Sequence, residues 1–223
     1  MTRRVTLLLL VLLGTVRGLG AAEPGAAVLA QRVQARYDAT EDFTANVIQE
    51  MTVASLGKTI RTEGTVAFKK PGKMRWEFPG DAAQTIVADG TTLWLYQPAE
   101  KQVLKAPFQI AFRSSTPISF LAGVGRISED FDVTVAGDAT GLVAGDLIDL
   151  LLVPKRDADN VGRLRLTVAR DSGDIRAAAI TDPLGNVTRL EFSHMQRNVH
   201  LGAERFVFEV PPGVDVITAP IGQ

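Results

Sequence analysis

The chain has 223 residues, 46% of them hydrophobic and 22% charged, which is the composition of a folded globular protein and not of a disordered one. It has no cysteine, which excludes disulfides, thiolate metal sites, a cysteine nucleophile and a lipid anchor attached at cysteine. A formal charge of −1 provides no basic surface for nucleic acid, and two histidines are too few for a histidine-rich metal site.

The chain opens with a basic Thr2-Arg3-Arg4, an apolar run from Val5 to Leu13, and small residues at Gly20-Ala21-Ala22. These are the three regions of a secretory signal peptide, with cleavage expected after Ala22. The apolar run is shorter than the roughly 20 residues a spanning helix needs, and no later stretch is long enough for an integral membrane segment. The leader removes Arg3, Arg4 and Arg17 from the 24 basic residues and none of the 25 acids, so the mature chain stands at −4. Residues 23–223 then form a single exported domain.

Pro24 opens a helix whose apolar face holds Leu29, Val33 and Tyr37, ending near Thr40. The period then changes to two. Strands are expected at Phe43–Thr52, Thr59–Lys69, Met74–Phe78, Thr85–Ala88 and Leu93–Tyr96, the last two joined by an Asp89-Gly90 hairpin turn. Val103-Leu104 follows. Residues 107–125 break the pattern, and Thr116-Pro117 to Gly123 carries the start and stop signals of a short helix. Strands resume at Phe131–Val135, Leu147–Val153, Arg163–Ala169, Ile175–Thr181, Val187–His194 and Phe206–Val210. About eleven strands with two short helices predict a single antiparallel sheet, mainly β in class. Its inner face collects Met74, Trp76, Phe78, Ile86, Leu164, Leu166, Leu190, Phe192, Phe206 and Phe208. That pattern fits either a filled core or a half-open barrel that holds an apolar ligand.

No catalytic constellation emerges. No serine lies in a Gly-x-Ser-x-Gly elbow. Gly57-Lys58-Thr59 has threonine at position 52, where a phosphate-binding loop needs glycine, and it precedes a strand. Gly123-Val124-Gly125 lacks the third glycine of a dinucleotide motif. The loop at Asp157 carries valine at two calcium-ligand positions. His194 and His200 lack a metal spacing, and Glu129, Asp130 and Asp132 read as a solvated edge. No catalytic residue, metal site or cofactor is assigned.

Lys69-Lys70-Pro71-Gly72-Lys73-Met74-Arg75-Trp76-Glu77-Phe78 and the later Ile86-Val87-Ala88-Asp89-Gly90-Thr91-Thr92-Leu93-Trp94-Leu95-Tyr96-Gln97-Pro98 together resemble the LolA family of periplasmic outer-membrane lipoprotein carriers. The closing Phe206-Val207-Phe208-Glu209-Val210-Pro211-Pro212-Gly213 is also similar. The resemblance runs from the first helix to about Val216 and is weakest between Val124 and Asp146. It implies an incomplete antiparallel barrel with a helical lid. It also implies a monomeric, non-enzymatic chaperone that takes acylated lipoproteins from an inner-membrane ABC transporter and delivers them to an outer-membrane acceptor. By the same resemblance, the acyl chains would lie against Phe43, Val47, Met51, Met74, Trp76, Phe78 and Ile86, with Ile118, Phe120 and Leu121 on the lid. Leu93 and Leu95 share the side of Ile86 in the hairpin, so Trp94 and Tyr96 point away. The family often has arginine before the proline of this turn, where it bonds helix backbone and latches the lid. Lys70 stands there and keeps the charge without the planar fork of donors. Arg75 alternates outward and reads as solvated charge. A lipid-binding sensor or glycolipid carrier on the same fold is the alternative reading.

Overall fold

The computed structural model describes residues 25–111, 126–136, 145–156 and 162–218. The leader, the expected helix at 116–123 and most of the loop at Asp157 lie outside the described residues.

Helix α1 spans Ala26–Asp38 and buries Leu29, Ala30 and Val33 on one face. It stops where the Thr40 hydroxyl donates to the Arg36 carbonyl at 2.8 Å, satisfying one of the helix's last free acceptors. The strands follow as β1 (Asp42–Val53), β2 (Lys58–Lys69), β3 (Lys73–Phe78), β4 (Gln84–Asp89), β5 (Thr92–Gln97) and β6 (Gln102–Pro107). Two one-turn helices, α2 (Phe108–Ala111) and α3 (Ile127–Asp130), flank the next segment. Then come β7 (Phe131–Ala136), β8 (Leu147–Pro154), β9 (Arg163–Ala169), β10 (Ile175–Thr181) and β11 (Val187–Arg197), a 3-10 turn at Ala203–Phe206, and β12 (Asp215–Thr218).

The twelve strands among the described residues belong to one sheet, ordered β12-β6-β5-β4-β3-β2-β1-β11-β10-β9-β8-β7. β1 to β6 run as one meander and β7 to β11 as a second, and the pairing of β1 with β11 joins them. The sheet does not close, because β12 and β7 end the order as edges. The mainly β class expected from the pattern and the half-open architecture implied by the family resemblance are therefore present. One prediction fails in detail. The sheet is not wholly antiparallel, since β12 pairs β6 in parallel.

The register sorts the apolar residues onto two faces. Phe43, Ala45 and Val47 of β1 stand beside Phe68 and Val66 of β2, which stand opposite Met74 and Trp76 of β3. The same layer continues through Phe192 and Leu190 of β11, Ala178 of β10, Leu166 of β9 and Leu150 of β8. This is the concave face, and α1 packs across it with α3 and β7. Gly64 makes close packing possible there, because a Cβ at that position would stand 2.8 Å from the Phe78 ring.

Phe206–Val210 is not a strand, and its aromatics do not face inward. Phe206 ends the 3-10 turn, and Phe208 lies 6.1 Å from Trp94 and 6.0 Å from Tyr96, ring centre to ring centre, on the convex face. Phe206, Val87, Val103 and Ala67 are buried there as a second, thinner layer. The segment is steered across that face before it can join a ladder. The Asp42 carboxylate accepts the backbone N–H groups of Val199 at 2.7 Å and Leu201 at 2.9 Å, and Lys69 donates to the Leu201 carbonyl. Pro211 and Pro212 then remove two donors that a ladder would need.

Candidate functional site

The concave face is floored by aromatic rings from four neighbouring strands. Phe43 and Phe68 stack with centroids 4.8 Å apart, Phe68 meets Trp76 edge-on at 5.7 Å, and Trp76 lies 6.1 Å from Phe78 and 6.5 Å from Phe192. Phe192 is three strands from Trp76 in the sheet order, so the contact measures how strongly the sheet curls. A cavity of about 60 Å³ lies between this floor and α1. Its wall includes Val33, Tyr37, Phe43, Phe68, Ile175, Phe192 and Met195, with Arg36 and Arg197 among them.

A bulge builds part of this wall. Asn46 pairs Ser193 and Thr44 pairs Gln196, so β11 carries one extra residue against β1. His194 takes up that residue with a φ of 51°, in the left-handed region. The insertion places Phe192 and Met195, three apart in sequence, on the same cavity. Strict alternation would have sent Met195 to the other face.

The C-terminal half of helix α1 is pinned from two sides. On one side, Asp174 after β9 accepts Arg36 Nε at 2.6 Å and Arg197 Nη2 at 3.0 Å, and Arg32 donates to the Arg170 carbonyl at 2.6 Å. Gly173, with φ of +71°, lets this turn touch the helix backbone, since a Cβ there would stand 2.6 Å from the Arg32 carbonyl carbon. Burial lowers the Arg197 pKa, with Asp174 opposing that shift and the Arg36 and Arg176 charges adding to it. On the other side, Lys70 Nζ donates to the Tyr37 carbonyl at 2.6 Å and lies 4.0 Å from the Tyr37 ring centre. Burial is the largest influence on Lys70 and pulls its pKa down, against Asp38 and Glu41. Burial, then the Asp38 charge, pushes the Tyr37 hydroxyl up to about 12.

The residues singled out from sequence fall into three groups. Val47, Met74, Trp76 and Phe78 are buried in the concave layer, with Phe43, Ile86 and Leu93 packed against it half-buried. Ile86 pairs directly with Leu95, and Val87 pairs with Trp94, so the hairpin has the expected facing. Met51 lies at the far end of β1 beside Ile60, and the two are 39% and 45% exposed, so the apolar face runs out to an open end. Ile118, Phe120 and Leu121 lie outside the described residues.

Several other expectations need correction or completion. Arg75 is not simply solvated: Nε pairs with Glu77 at 2.8 Å, and Nη1 reaches the carbonyls of Arg205 at 3.3 Å and Val207 at 3.4 Å, holding the last segment to the convex face. Asp130 accepts the Arg126 N–H at 2.7 Å and Glu129 pairs with Arg126 at 3.5 Å, which gives two of the three clustered acids a local structural role. His194 and His200 are exposed, each at positive φ. Among the described residues no group of acids and histidines is placed to hold a metal ion, and no helix is long and apolar enough to cross a membrane.

The model of the family described as "Outer membrane lipoprotein carrier protein LolA" matches residues 38–209. The outer-membrane lipoprotein carrier protein of Chromobacterium violaceum is 33% identical over 199 residues, covering 89% of this chain and 92% of that protein. Its counterpart in Methylobacillus flagellatus is 31% identical, covering 84% and 87%, and that of Pseudomonas aeruginosa strain PAO1 is 31% identical, covering 88% and 89%. An uncharacterised conserved protein of Thermus thermophilus superposes with a TM-score of 0.54 at 14% identity, over 87% of this chain and 99% of that one, which is a likeness of fold. The match spans β1 to the tail that crosses the convex face, so strands β1 to β11 of the open sheet, its aromatic floor and the turn bearing Lys70 all lie within it, and the chain belongs to the LolA family of outer-membrane lipoprotein carriers.

Proposed function

We propose that this protein is a periplasmic chaperone that shields the acyl chains of lipoproteins on its concave face while carrying them to the outer membrane. The observation that carries this reading is the aromatic floor under a helix held from two sides, near its C-terminal end, by polar contacts to backbone and carboxylate. Phe43, Val47, Met51, Met74, Trp76, Phe78, Ile86, Leu93 and Leu95 would form the acyl surface, with Ile118, Phe120 and Leu121 of the 107–125 segment as its lid. The partners in this reading are an inner-membrane ABC transporter that loads the protein and an outer-membrane acceptor that unloads it. The protein works as a monomer after its leader is cleaved behind Ala22, and no step is catalytic.

The energetics favour a mobile helix. Three long acyl chains hold on the order of 40 methylenes, worth about 30 kcal/mol at ~0.8 kcal/mol each. Noncovalent affinity saturates near 20 kcal/mol, and a carrier must also let go. The cavity of about 60 Å³ is far too small to take even one long acyl chain. Loading therefore requires α1 to lift, which exposes Leu29 and Val33 at about 1.5–3 kcal/mol apiece and breaks the Lys70 and Asp174 contacts. That cost is subtracted from affinity and returned when cargo leaves, which keeps transfer reversible.

The test is complex formation with a synthetic triacylated lipopeptide in detergent-free buffer. A soluble one-to-one complex on gel filtration is expected, with the same peptide unacylated remaining free. Equal retention of both peptides would contradict acyl recognition.

A further inference from the structure

Trp76 is 3% exposed, and its indole Nε1 is buried with no hydrogen-bond partner. It stands mid-strand on β3, opposite Val66 of β2 and Ile86 of β4, among the rings of Phe68, Phe78 and Phe192. None of those side chains carries an oxygen or nitrogen that could accept a hydrogen bond from it. Leaving a buried donor unmatched is costly, and native proteins rarely do so without a reason. Phenylalanine would fill a floor of this kind with no polar atom to satisfy. Gln49, also on this face of the sheet by its place between Val47 and Met51, is half-buried and meets water, so it carries no such penalty.

A hydrocarbon tail has no acceptor to offer this donor. The link between tail and head does, because an acyl chain is joined through an ester or amide carbonyl, and that oxygen enters the apolar face with the first methylenes. We propose that the Trp76 indole N–H donates to the carbonyl of a bound acyl chain and so sets how deep the chain is seated. This rests on the acyl-carrier reading above. Trp76 becomes the residue that tells an acyl chain from a plain alkyl chain of equal length. An alkyl ether of the same length buries nearly the same apolar chain but has no carbonyl; its oxygen lies in line with the chain and does not project towards the indole as a carbonyl does, so the donor is less well matched, and a poorly met polar site is the stronger source of discrimination.

The experiment compares dipalmitoylglycerol with its diether analogue, dihexadecylglycerol, by displacement of a fluorescent fatty-acid probe from the purified protein and from Trp76→Phe. The native protein should prefer the ester roughly 3- to 10-fold, as one recovered hydrogen bond allows, and Trp76→Phe should bind both alike. The second readout is the indole ¹H–¹⁵N spectrum, which holds two signals, from Trp76 and Trp94. The Trp76 signal should move downfield with the ester and not with the ether, a result that does not depend on the variant folding. Equal affinities in the native protein, or a preference that survives Trp76→Phe, would overturn the proposal and leave the acyl-carrier reading intact. Displacement by neither lipid would overturn the acyl-carrier reading and this proposal with it.

Discussion

Replacing Lys70 with leucine removes one of the pins of α1. Two interactions are lost. A hydrogen bond from a charged donor contributes about 1.5–3 kcal/mol, and here it runs from Nζ to the Tyr37 carbonyl at 2.6 Å. A cation over a partly exposed aromatic ring adds about 0.5–1 kcal/mol, and the ammonium is 4.0 Å from the Tyr37 ring centre. Against these stands the cost of burying the ammonium, the same burial that lowers its pKa. The balance is about 1–2 kcal/mol in favour of the attached helix, a factor of about 5–30 in the population of its detached form. The assay is native-state hydrogen exchange resolved along the chain. Amides of α1 should exchange about 5–30 times faster in Lys70→Leu, while those at the centre of the β1–β2 pair should not change. Cargo should pass more readily to an acceptor. Unchanged α1 exchange would refute the pin, and unchanged release with faster exchange would separate the pin from any role in transfer.

Gly173→Ala should lower Tm by roughly 5–10 °C, because it adds both a left-handed strain and a clash with α1 backbone worth about 2–3 kcal/mol together. Gly57→Ala, at φ of +57° with nothing within 4 Å, carries the strain alone and should lose less than half as much; equal losses would show that Gly173 does not touch the helix. The Tyr37 hydroxyl has a pKa near 12 when folded against 10.0 as its ordinary value, so its contribution is full below pH 10 and is lost as pH climbs towards 12. Urea titrations at stepped pH should show an alkaline loss of up to about 2–3 kcal/mol that Tyr37→Phe lacks; Lys70 acts with the opposite sign just below 10.5, so the difference between the two proteins is the quantity to read. Phe208→Ala should cost about 1–2 kcal/mol of stability, yet leave the affinity for a fluorescent fatty acid unchanged, because its ring lies on the convex face against Trp94 and Tyr96. A matched drop in affinity would put Phe208 on the binding side.

Period-two patterning made β3 readable, since Met74, Trp76 and Phe78 alternate cleanly with Arg75 and Glu77 and all three apolar residues are buried. The Asp89-Gly90 turn was equally legible. Asp89 Oδ1 accepts the N–H groups of Thr91 at 2.7 Å and Thr92 at 2.8 Å, a local motif that needs no distant partner. What stayed hidden depends on distant residues. Alternation at Phe206 and Phe208 looks like any strand until Asp42, far back in the chain, captures Val199 and Leu201 and turns the segment over the convex face. Met195 enters the cavity only because of the bulge at His194, and histidine at positive φ has no pattern to announce it. The resemblance alone points to Lys70 and to a helix-backbone acceptor, whereas the fold identifies that acceptor as the Tyr37 carbonyl. The clamp of Asp174 on Arg36 and Arg197 joins three elements whose sequence spacing carries no periodicity.

The most direct measurement is native mass spectrometry of the protein taken from the periplasm without detergent, in cells depleted of the outer-membrane acceptor. Carriage of lipoproteins predicts one protein molecule with one acylated polypeptide, released as a lipid-modified chain on collisional activation. A free glycolipid, a phospholipid alone or no bound mass under those conditions would contradict it.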